Sequence, residues 1–164
     1  MDAKTLIAEL EFEMVSAGKL LNLVPADKLD WKPNSRAMTL GQLALHVALI
    51  PGRYTDFADT GTTTFETLVD HASPKSKAEV LESFKTSLAK GKAFFNNINQ
   101  WENKTWNLMK GDKAVLTLPV PLFVRLLVFN HWVHHRGQLS TYLKTLNVSM
   151  PSIYGPSADE NPFA

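Results

Sequence analysis

Three histidines fall within five positions of "FNHWVHHRGQL", residues 129–139, in a stretch whose other residues suit a buried helix. Imidazole both ligates transition metals and exchanges protons near neutral pH. His131 and His135 are four apart, so a helix sets them one above the other with Cβ atoms ~6 Å apart, both able to reach one ion. His134 lies about 100° round the same helix and is expected to stand outside such a site. A third partner lies upstream, where Leu43, His46, Ile50 and Phe57 share a face that His46 interrupts. A divalent ion held by His46, His131 and His135 would keep at least one position open for water or substrate. The same spacing fits any buried helix face, and a single inward histidine is most often a hydrogen-bonded core residue. The residues alone leave both readings open.

These side chains need helices to carry them. Leu6, Leu10, Met14, Ala17 and Leu21 recur at helical spacing and predict a first helix from Asp2 to about Val24. Thr39 and Gln42 have the spacing of a capping box, which predicts the start of a second helix bearing His46. Pro51 within it is expected to kink or interrupt it. "DTGTTTF" and "VDHASP" read as loop, which places His71 in solvent or beside a site. Ser76 and Glu79 repeat the capping spacing and open a third helix whose face is Val80, Phe84, Leu88, Phe94 or Phe95, and Ile98. "WNLMKGDKAVLTLPVP" suits a short hairpin or an extended crossover. Pro121 then suits the first turn of a last helix to about Leu146, with Val124, Val128, His131, His135, Tyr142 and Leu146 inward. Four long helices without a convincing sheet predict an all-α fold, a four-helix bundle with an irregular C-terminal tail.

Size and composition narrow the function classes. A chain of 164 residues with 45% hydrophobic and 20% charged residues suits one folded domain over 1–164. Seventeen basic against sixteen acidic residues, scattered along the chain, give no nucleic-acid surface. The absence of cysteine excludes disulfides and thiolate ligands, so a metal must be held by imidazole, carboxylate or water. No segment approaches ~18 uninterrupted apolar residues and no leader pattern opens the chain, which predicts a cytoplasmic protein that does not enter the membrane.

"LDWKP", "TLGQLALH", the "HWVHHRGQL" helix and the closing "PSIYGPSADE" together resemble the DinB family of the DinB/YfiT-like superfamily, nearly end to end. The resemblance implies a four-helix bundle with crossover connections, paired as a homodimer. It implies one divalent metal held by His46, His131 and His135, the trio that the helix faces bring up, with His134 not a ligand. It also implies relatives that act as transferases or an isomerase with low-molecular-weight thiols. An imidazole-rich site suits zinc or nickel, with iron and manganese also open. Two functions follow: a metal-dependent enzyme, hydrolase or thiol-dependent transferase, on an unknown small molecule, and a noncatalytic stress-response module braced by the ion.

The neighbouring residues have expected roles of their own. Gln138 and Asn130 are expected either to orient a ligand imidazole through its second nitrogen or to face solvent. Gly137 in mid-helix suggests a close approach by another segment. Arg136 is expected at the surface, or paired with an anionic substrate or a tail carboxylate, and Tyr142 in the core. If the tail folds back, Asp159 or Glu160 becomes a candidate fourth ligand or general base; otherwise it is a solvated terminus.

Overall fold

The computed structural model describes residues 2–163. Helix α1, Ala3–Leu23, opens on Asp2, whose carboxylate accepts from the Thr5 amide, and it buries Leu6, Leu10, Ala17 and Leu21 as its periodicity requires. Helix α2, Leu40–Thr60, starts with the full capping box: Thr39 accepts from the Gln42 amide and Gln42 from the Thr39 amide. It ends on Gly61, whose positive φ of 73° suits glycine at that position. Strand β1, Thr62–Thr64, and a single turn, α3, Phe65–Leu68, follow. Helix α4, Lys77–Asn96, is capped by Ser76, but Glu79 accepts from Lys75 rather than closing a box.

Strands β2, Thr105–Lys110, and β3, Lys113–Pro119, form an antiparallel hairpin around Gly111 and Asp112, with β1 alongside β2 in parallel. The expectation of an all-α fold is therefore corrected: the fold is mostly helical with a three-stranded sheet of order β1-β2-β3. "TTT" was too short and too polar to declare itself as a strand. It is held by β2 and by Trp106, buried, whose indole donates to Thr63 Oγ1 at 3.1 Å.

The last helical run has three parts: α5, Val120–Phe123; a π-helical segment, Val124–Asn130; and α6, His131–Thr145. A π turn holds about one residue more than an α turn and so shifts the faces of everything after it. The buried ridge runs Val124, Val128, Trp132, Arg136, Leu139, Leu143 instead of through the histidines. Trp132 takes the core position expected of His131, and His131, His135 and Tyr142 lie half-buried on its flank.

Pro51 does not interrupt α2, because neighbouring helices supply the missing bonds. Pro51 has no N–H for the Val47 carbonyl one turn back, and Trp132 Nε1 donates there instead at 2.9 Å. Ser87 of α4 accepts from the Gly52 amide at 2.7 Å and donates to the Leu49 carbonyl at 3.0 Å. This needs close approach: a Cβ on Gly52 would sit 2.9 Å from the Ser87 backbone. The core packed around this junction is continuous, from Leu6 and Leu10 through Val47 and Ile50 to Phe95, Phe129 and Trp132.

Candidate metal centre

His46 projects from the second turn of α2, almost fully buried, toward the flank of α6. Its Nε2 lies 3.4 Å from His131 Nε2, and His135 Nε2 lies 2.8 Å from the same atom. The three ring centroids are 4.4 to 5.1 Å apart, and the rings meet edge to face. An ion with nitrogen distances of about 2.0–2.1 Å separates its ligand nitrogens by roughly 2.9 Å at right angles and 3.4 Å at tetrahedral angles. The two separations from His131 are close to those of a shared ion, and the three ligand atoms all lie within 4.8 Å of one another. No other His, Asp or Glu joins this group among the described residues.

The protonation states agree with that geometry. Burial, then the neighbouring imidazoles, push His46 from the ordinary 6.5 down to about 2. Burial brings His131 and His135 down to about 4. All three rings are neutral at pH 7, the form that ligates. Gln138 Oε1 accepts from His135 Nδ1 at 2.7 Å, which leaves the His135 Nε2 lone pair bare toward the cluster. The Leu127 carbonyl one turn back favours a proton on the His131 ring, although Nδ1 has no partner within ordinary hydrogen-bond geometry.

Of the other residues picked out in the sequence, His134 is exposed on the far side of His135, outside the cluster, and Asn130 is exposed. Gly137 receives no neighbour: a Cβ there would meet nothing within 4 Å, which corrects the expected close approach. Arg136 is buried, and its partners are Glu13 of α1 and the Tyr154 hydroxyl of the tail. The tail does fold back, yet Asp159 accepts from the Met150 amide and Glu160 from the Ser152 amide, so neither reaches the histidines as ligand or base. Tyr142 packs edge-on against Trp31 at 5.6 Å.

Two further residues at the site, Tyr54 and Arg53, had no sequence signal, and His71, expected in solvent or beside a site, lies beside it. Tyr54, two turns beyond His46, is buried with its ring 4.8 Å from His131, and burial raises its phenol to about 12. His71 lies on the segment after α3, 4.6 Å from His46 ring to ring. Arg53 holds that segment by donating to the carbonyls of Thr67 and Asp70.

Comparison with known proteins agrees with the fold. The chain is 27% identical over 152 residues to the uncharacterised protein YrdA of Bacillus subtilis (strain 168), covering 92% of this chain and 86% of that protein. It superposes on a DinB-like protein from Bacillus cereus ATCC 10987 with a TM-score of 0.70 at 16% identity, covering 92% of this chain and 97% of the other. A DinB-like protein from Bacillus subtilis, YjoA, gives 0.66 at 14% identity, covering 91% and 96%. The model of the DinB family matches residues 1–161, and the chain belongs to that family.

Proposed function

We propose that this protein is a metal-dependent transferase that joins a low-molecular-weight thiol to an electrophilic small molecule. In this reading His46, His131 and His135 hold one divalent ion, zinc or nickel, on the flank of a four-helix bundle. The observation that carries it is the convergence of three neutral imidazole nitrogens with no fourth protein donor among the described residues. A noncatalytic brace would need that fourth donor to close the coordination shell.

An ion in this place would supply Lewis acidity that lowers the pKa of a thiol or of water. The chain's own groups favour the thiol. Hydrolysis calls for a general base near the attacking water, and no carboxylate joins the cluster among the described residues. A thiolate is already a strong nucleophile and needs none. Gln138 fixes the His135 ring, and the buried Tyr54 ring stands 4.8 Å from that of His131. The sulfur then attacks the electrophilic carbon; the S–C bond forms, the leaving group departs with its electron pair, and the thiol proton passes to solvent.

The test is an assay of zinc- or nickel-loaded protein with small thiols and an activated aryl halide or epoxide. We expect thioether formation that chelation and His131→Ala each lower by at least about a hundredfold. Ester or amide turnover without thiol would favour a hydrolase instead. If no turnover depends on His131, the enzymatic reading fails.

A further inference from the structure

A ligand imidazole needs its second nitrogen fixed, because that bond sets both the tautomer and the direction of the lone pair. His135 has Gln138, whereas the Leu127 carbonyl stands near the His131 ring without a hydrogen bond of ordinary geometry. His46 makes its contact on the Nε2 side, and no described group bonds its Nδ1. Beside His46 lies His71, whose ring stands edge to face at 79° and whose Nδ1 is shut away from solvent without a partner. A buried ring nitrogen left without a partner is uncommon in native proteins.

His71 does not arrive there by chance packing. Gln42, already part of the α2 capping box, donates to the His71 carbonyl at 3.2 Å. Arg53, from the same helix, donates to the carbonyls of Asp70 and Thr67. Both helix residues grip main chain, so the strap is held in place whatever side chain it carries at 71. Both imidazoles line, with Gln42, Leu45, Leu49, Arg53 and Ala72, a cavity of about 10 Å³. That is roughly the room one water requires. His71 is also near enough to disfavour protonation of all three cluster histidines.

We propose that His71 is a positioning residue for His46: its Nδ1 accepts, through one water in this cavity, the proton on His46 Nδ1, and so holds His46 Nε2 bare toward the cluster. The inference rests on the three-histidine reading of the site. It gives the strap after α3 a role in metal affinity without making His71 a ligand.

Cobalt(II) titration of the full-length protein, read by its visible absorption, tests it. His71→Phe is expected to weaken cobalt affinity about 10–100-fold while band positions and intensity stay as in the parent. His71→Asn, whose side chain reaches the position of Nδ1, should restore most of the loss, and the metal-free melting temperatures of the three proteins should agree. Imidazole ¹⁵N spectra of the unsubstituted, metal-free protein should show His46 protonated at Nδ1, which decides the matter even if His71→Phe folds badly. Affinity within twofold of the parent in His71→Phe, equal losses in the Phe and Asn variants, or a His46 protonated at Nε2 would overturn the proposal. A change in cobalt bands in His71→Phe would do so too, since it would make His71 a ligand. A parent that takes up no cobalt would instead remove the three-histidine reading beneath it.

Discussion

Protonation is what the cluster histidines resist in the metal-free protein. An imidazole in the unfolded chain titrates near 6.5, whereas the folded chain holds His46 near 2 and His131 and His135 near 4. Between those values the unfolded state binds protons that the folded state refuses, so stability is full above about pH 6.5 and is lost as pH falls toward 4. The melting temperature of metal-free protein should therefore drop over that window, and His46→Phe should make the drop shallower; a flat profile would contradict the burial described here. At this scale His46, His131 and His135 were legible because helical spacing is written in sequence. Gln138 was too, three positions past His135. Tyr54 and Arg53 were not, and His71 was left between solvent and the site, because it reaches His46 across 25 positions by main-chain latches that follow no period.

Among the elements, α2 shows how a local rule can be overruled by its neighbours. The proline predicts a break, yet Trp132 and Ser87 complete the bonds that Pro51 leaves open, and glycine at 52 lets α4 come near enough to do so. Gly52→Ala should cost about 1–3 kcal/mol in urea unfolding, because its Cβ would press on the Ser87 backbone. Gly137→Ala is the counterpart: in mid-helix with open space around it, it should gain up to about 1 kcal/mol. The histidine helix was read with a uniform α period, and the π segment defeated that reading from Trp132 onward. Nothing in "VRLLVFN" declares a widened turn. The trio still converged because His131 and His135 moved together, staying four apart on α6, whichever neighbour took the core position.

Over the whole molecule, the side of α6 away from the cluster is tied to α1 and the tail. Arg136 donates to the Glu13 carboxylate and to its carbonyl at 2.7 Å, and Tyr154 donates to the same carboxylate at 2.7 Å. Arg136→Met would strand a nearly buried Glu13 charge and should cost about 3–5 kcal/mol, most of it regained in the Glu13→Leu/Arg136→Met double variant. Sequence placed Arg136 at the surface because charge usually lies there; its burial follows from the π shift and from a partner more than 120 positions away. The sheet was hidden for a related reason, since β1 is three polar residues that become a strand only through β2. The continuous apolar core lies beside the cluster rather than through it, and no described helix is long and apolar enough to cross a membrane. Metal-free protein should accordingly retain its helical circular dichroism. The central claim is that one ion binds where three Nε2 atoms meet, and anomalous diffraction from crystals of tag-free, zinc- or nickel-loaded protein tests it most directly. The account predicts a single strong peak about 2.0–2.1 Å from Nε2 of His46, His131 and His135; no peak there, or a peak ligated by other residues, would contradict it.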